Sequence, residues 1–233
     1  MTGSPDPLDA PRSALHARDA ATEAHGSSLD TSVPAMTADL AQRPAPAPPR
    51  PYRFPAFERR TLPNGLRLVV APVRKLPVVS VVALVDAGAG ADPAGQDGLA
   101  MLTARALTEG TASLDAVAFT DRVERLGTAI DAGADWDAAI VSMTVLTHRL
   151  AEAFALFAEV LRHPAFPERE VERLKGERLA ELLQLRAEPR GLADDSFARA
   201  AYAPASRFAR PDGGSEETVA ALTRDDVVRF YRH

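Results

Sequence analysis

The hydrophobic period changes three times between residues 57 and 233, and that order constrains the fold more than any other feature of the chain. Side chains alternate faces along a strand but recur every 3.6 residues around a helix, so the period reports local structure. FERRTL and LRLVVAP flank Pro63-Asn64-Gly65, and Asn-Gly between apolar runs predicts a hairpin. VVSVVALVD, 78–86, is rich in β-branched residues and predicts a buried central strand. AGAGADPAGQDG, 87–98, reads as a loop in which Asp92 and Asp97 are turn residues. GLAMLTARALTEGT, 98–111, then predicts a short amphipathic helix between two glycines. In the next helix Val117, Phe119, Val123 and Leu126 mark the apolar side, Ser113 is placed to cap it and Gly127 to end it.

The second half repeats the alternation. TAIDAGAD and DAAIVSMTVL read as two strands around Asp135-Trp136, with Trp136 packing at the turn. LAEAFALFAEVLRH, 150–163, has a helical period through Leu150, Phe154, Phe157 and Leu161. HPAFP breaks it, and a charged helix over about 168–187 follows, its acidic and basic residues forming a solvated face. A further helix covers about Leu192 to Tyr202, and Thr223 to Asp226 has capping-box form ahead of VVRFY. Strands, helices, strands, then helices predict an α+β domain: a mostly antiparallel sheet with helices packed on one face.

Residues 1–55 differ. Ten of the 19 prolines lie there, ending in RPAPAPPRPYRFP. Proline has no backbone donor and favours extended geometry, so 1–55 is expected to be a disordered Pro/Ala-rich tail acting as a linker. The folded domain is expected over 56–233.

Several chemistries are excluded. The chain has no cysteine, which removes disulfides, thiolate metal sites and a Cys nucleophile. A net charge of −5 without a sustained basic run gives no footprint for nucleic acid. No apolar run reaches the roughly 18 residues of a membrane span. MTGSPDPLDAPRS lacks the apolar core of a secretory leader, which points to the cytoplasm. His148 and His163 flank a helix without ligand spacing, and Ser80 and Ser142 lie within strand patterns. The Gly88/Gly90 loop has no lysine and is not a phosphate cradle.

Four stretches carry a resemblance: TLPNGLRLVV, ALVDAGAGADPAGQDGLAMLTARALTEGT, VERLGTAIDAGADWDAAIVSMTVL and LRHPAFPEREVERLKGERLAELLQ. In this order and spacing they resemble the N-terminal domain of the insulinase-like zinc metallopeptidases, the family of pitrilysin and the mitochondrial processing peptidase. The resemblance covers about 57–233. It implies a His-x-x-Glu-His helix at Gly98–Thr111, whose histidines bind zinc and whose glutamate is the general base. Zinc would lower the pKa of its bound water from 15.7 toward about 7. Carried over residue by residue, the first ligand falls on Met101, the base on Ala104, the second ligand on Arg105 and a distal glutamate ligand on Glu181. An acidic residue that the family has seven positions earlier falls on Leu174.

The motif is therefore degenerate, and no catalytic or metal-binding residue is expected. A thioether suits copper(I) better than zinc, a methyl group abstracts no proton, and a guanidinium stays charged. At ~4 Å and an effective dielectric of about 20, two unit charges interact by roughly 4 kcal/mol, and against a dication the repulsion doubles. Arg105 is expected to pair with Glu181 instead. The family's peptide-binding edge strand falls on Ile130, Ala132, Gly133 and Ala134; these small residues either admit another backbone or pack beneath a helix, and the sequence leaves both open.

The resemblance implies a non-catalytic homologue, a structural or substrate-binding subunit in a heterodimer with a zinc-bearing, homologous insulinase-like subunit that degrades or processes peptides. It implies no cofactor in this chain, zinc only in the partner, and extended peptides as ligands. Two alternatives are a metalloendopeptidase with an atypical site and a scaffold of an assembly without peptidase activity. The family continues into another strand where this sequence stops, so a domain cut short at its C-terminal end is expected.

Overall fold

Period-2 and period-3.6 segments settle into two antiparallel sheets and seven helices among the residues that the computed structural model describes, 47–49, 51–203 and 206–233. Most of the expected tail lies outside the described residues. Residues 51–57 carry no regular structure and are exposed. The residues from Phe54 onward form one compact unit.

β1 (Glu58–Thr61) and β2 (Arg67–Val70) form the expected hairpin, closed by a five-residue connection rather than a two-residue turn. Leu62 N donates to Leu66 O, and the Asn64 side chain accepts from Leu66 N. The second sheet runs in the order β3 (Val78–Val85), β5 (Ala139–Leu146), β4 (Ile130–Ala134). Its register pairs Val81 with Met143 and Met143 with Ile130.

One face of this sheet carries the core. Ile130, Val141, Met143 and Val145 are buried there, with Val81, Ala83 and Ala132 packed alongside. α1 (Leu99–Ala106) and α3 (Leu150–Arg162) lie against it, and the buried side chains of α2 (Ala116–Arg125) and of α4 (Glu168–Arg186) join the same cluster. The remaining helices are α5 (Pro189–Ala201), α6 (Glu216–Ala221) and α7 (Arg224–Arg232). This is an α+β fold with helices on one face of an antiparallel sheet, as its periods predict.

Several local expectations are corrected. β3 is an edge strand, not a central one, and Val82 and Leu84 are 59% and 70% exposed. Its β-branched composition reports a strand, but position in a sheet depends on neighbours the local pattern does not specify. α1 ends at Ala106, short of Thr111, because Gly110 and Thr111 leave the helix to bridge Asp115 and Pro164. α2 is capped by Asp115, which accepts from Ala118 N, while Ser113 and Thr111 hydrogen-bond Glu159 instead. Those two hydroxyls, Ser113 first, hold the Glu159 carboxyl below its ordinary range. α3 buries Ala153, Leu156, Phe157 and Val160, leaving Phe154 half exposed, so its face is turned from the expected one. Val117 is likewise exposed. The reciprocal cap of Thr223 and Asp226 is present, and a second one at Ser215 and Thr218 opens α6, which no apolar period announces.

Candidate functional site

α1 sets the site. Gly98 begins it at φ +94°, and a Cβ there would lie 2.8 Å from Gly213 O, so both backbone conformation and space require glycine. Asp92 fastens this end: its carboxylate accepts from Gly98 N at 2.8 Å and Ala100 N at 2.7 Å. Residues 101 and 105 stand one helical turn apart and therefore share a face. Here that face meets α4.

Arg105 makes a bidentate pair with Glu181: Nη1 to Oε1 at 2.8 Å and Nη2 to Oε2 at 3.2 Å. The expected contact across 76 residues of sequence is thus present. A second guanidinium joins it. Arg178 Nη1 donates to Glu181 Oε2 at 2.9 Å, and its Nε donates to Gly213 O at 2.9 Å. Arg105, and behind it Arg178, hold the Glu181 carboxyl below its ordinary range against the opposing effect of burial. Two guanidiniums facing one carboxylate leave the cluster with one surplus positive charge. Met101, Arg105, Leu174 and Arg178 surround a cavity of about 10 Å³, which at most accommodates one water. Ala104 is buried at 1% exposure.

These residues do not fit a zinc ion. Position 101 offers a thioether, position 104 a methyl group, and position 105 a cation already bonded to the Glu181 carboxylate. Among the described residues no three His, Asp or Glu side chains are grouped to hold a metal.

β4 lies beside α1 and is, with β3, one of the two edges of its sheet among the described residues. Its two faces divide the alternatives left by the sequence. Ala132 packs toward the core, whereas Gly133 faces the bare side, where a Cβ would meet nothing within 4 Å. Asp131 to Asp135, with Ile140 and Ser142, line an open trough of about 350 Å³.

Asp92 and Asp97 are more than turn residues. Both are buried, and Arg207 reaches Asp92 at 3.2 Å and Asp97 at 3.6 Å, while Arg210 reaches Asp97 at 2.9 Å. Burial raises the Asp92 pKa, opposed by the N–H groups of Ala100 and Gly98 and by Arg207. The Arg207 guanidinium also sits 5.1 Å from the centre of the Trp136 ring. The spacing of these groups, 115 residues apart, is not legible in the sequence.

The family model described as Insulinase (Peptidase family M16) matches residues 69–209. This chain belongs to the insulinase family. A relative from Helicobacter pylori, named Non-peptidase homolog YmxG, is 27% identical over 136 residues, 58% of this chain and 31% of that protein. One from Streptomyces coelicolor, named Uncharacterized zinc protease SCO5738, is 25% identical over 174 residues, 75% of this chain and 38% of that protein. The solved structure of a peptidase M16 inactive domain from Pseudomonas fluorescens superposes with a TM-score of 0.71 at 26% identity, covering 76% of this chain and 43% of that one. This insulinase domain therefore spans about a third of the length of the curated relatives it matches. Among its described residues no helix is long and apolar enough to cross a membrane.

Proposed function

We propose that this insulinase domain is non-catalytic and serves as a structural or substrate-binding subunit, holding extended peptides on the β4 edge beside a homologous subunit that carries zinc. The observation that carries the reading is the Arg105–Glu181–Arg178 cluster. Its fixed cations engage the Glu181 carboxylate, the distal metal ligand that the family resemblance implies. The names of two relatives, a non-peptidase homologue and an inactive domain, support the same reading. The outer edge of β4, unpaired among the described residues and with an open trough beside it, supports the peptide-holding role. Zinc chemistry then belongs to the partner, and this chain contributes surface rather than a proton acceptor.

The test is metal analysis of the purified protein together with a peptide-cleavage assay. The expected result is zinc far below one ion per chain and no cleavage, with Glu181→Ala changing neither. One zinc per chain, with cleavage lost in Glu181→Ala, overturns the proposal. Co-purification from the source cell tests the partnership: an insulinase-like chain with an intact His-x-x-Glu-His motif is expected, and a different assembly argues for the scaffold role.

A further inference from the structure

The bare face of the β4 edge has a chemical preference built into it. Asp135 N donates to Ala138 O at 3.0 Å just beyond the two strands, where Asp135 O accepts from Ala89 N at 2.8 Å, so by alternation Asp131 and Gly133 bond inward to β5 and Asp135 continues their side of the strand. Ile130, Ala132 and Ala134 consequently turn their backbone groups outward. A strand added at this edge would bond to those three. It would then stand opposite Asp131, Gly133 and Asp135 at non-hydrogen-bonded positions, where facing side chains approach most closely.

Those three positions read carboxylate, no side chain, carboxylate. Asp131 and Asp135 are exposed and form no ion pair with any described Lys or Arg. Asp135 Oδ1 accepts from Asp137 N at 2.9 Å and Ala138 N at 2.8 Å, which fixes the carboxylate. The Ala138 N–H, then that of Asp137, hold its pKa down, so it stays charged well into the acid range. Between the carboxylates, the open space over Gly133 leaves room for a bulky side chain of the incoming strand.

We infer that the β4 edge selects extended peptides with basic side chains four residues apart, one opposite Asp131 and one opposite Asp135, and that a large residue between them covers Gly133. This rests on the proposed peptide-holding role and adds the substrate class to it.

The test is fluorescence anisotropy on the full chain with labelled eleven-residue Thr/Val peptides. One carries Lys at i and i+4 with Tyr at i+2. A second has both lysines replaced by Gln, and a third places them at i and i+3, which sends one to the opposite face. Opposite-charge cross-strand pairs predict that the i,i+4 peptide binds about 2- to 30-fold tighter than the Gln peptide at low salt. The i,i+3 peptide falls between them, and Asp131→Asn reduces the preference by about 1.4- to 5-fold. Ala132→Pro removes an outward N–H without touching the inward ladder, so it abolishes binding of all three. Equal binding of Lys and Gln peptides, with loss in Ala132→Pro, overturns the charge preference and leaves the edge reading standing. No binding by any peptide overturns the edge reading and this inference with it. A Lys preference insensitive to Asp131→Asn and Ala132→Pro places the binding elsewhere and overturns both.

Discussion

Glu181→Gln removes one charge and almost no volume, so it isolates the electrostatics of the cluster. In the wild type the carboxylate faces Arg105 through two hydrogen bonds and Arg178 through one. The side chains of Arg105, Arg178 and Glu181 are 31%, 19% and 42% exposed, so each pair is worth nearer the solvent-screened value of about 0.5–1 kcal/mol than the buried one. Loss of the carboxylate also leaves two guanidiniums facing each other. At ~6 Å and an effective dielectric of about 20 they would repel by about 3 kcal/mol, most of it relieved as their tips swing into water. The expected cost is about 2 kcal/mol, which for a domain of this size lowers Tm by about 4–8 °C. The pH dependence has a fixed sign. The folded pKa of Glu181 is depressed, so its stabilisation is complete above the ordinary value of 4.5 and is lost as pH falls through the folded value. In urea titrations the stability gap between wild type and Glu181→Gln is therefore expected to be smaller at pH 3 than at pH 7. High salt narrows the gap at pH 7. A gap of equal size at both pH values, or none at pH 7, refutes a charge-based role for the cluster.

Arg207→Ala leaves the buried Asp92 carboxylate without its cation and is expected to cost about 3 kcal/mol at pH 7. Because burial raises the Asp92 pKa, this carboxyl favours the folded state at low pH and loses that benefit as pH rises, so the cost shrinks near pH 4; equal cost in chemical denaturation at both pH values counts against it. Gly98→Ala, at φ +94° and against Gly213 O, is expected to destabilise by at least about 2 kcal/mol, readable as a lowered urea midpoint. The double variant Val82→Thr, Leu84→Thr on the bare face of β3 is expected to change stability by less than about 0.5 kcal/mol and to raise the concentration at which light scattering detects aggregates.

Element types were legible because a period is a local property. The alternation at Ile130–Ala134 and the capping box at Thr223 need only neighbouring residues, and both appear as expected. Partnerships across the chain follow different rules. The Arg105–Glu181 pair could be anticipated only because resemblance placed both residues at one site, whereas Arg178, one turn from Glu181, shows no periodic signal for its bond to Gly213 O. Asp92 and Arg207 are 115 residues apart in sequence, and nothing local says that a loop aspartate is buried. The rotated face of α3 has a similar origin. Its Phe154 is the larger side chain, but tertiary packing buries Ala153 and Val160, for which there is space against the sheet. β3 shows the limit most plainly, since an interior and an edge strand can be spelled alike.

The shared carboxylate also bears on engineering. Placing an imidazole at position 101 alone would leave Arg105 clamped to Glu181, and removing Arg105 alone would hand that carboxylate wholly to Arg178. The first step therefore leaves the glutamate engaged, and the second breaks the Arg105 pair without freeing the carboxylate. Because two guanidiniums share one glutamate, a designer who wants that carboxylate open to a new ligand has to change positions 105 and 178 together.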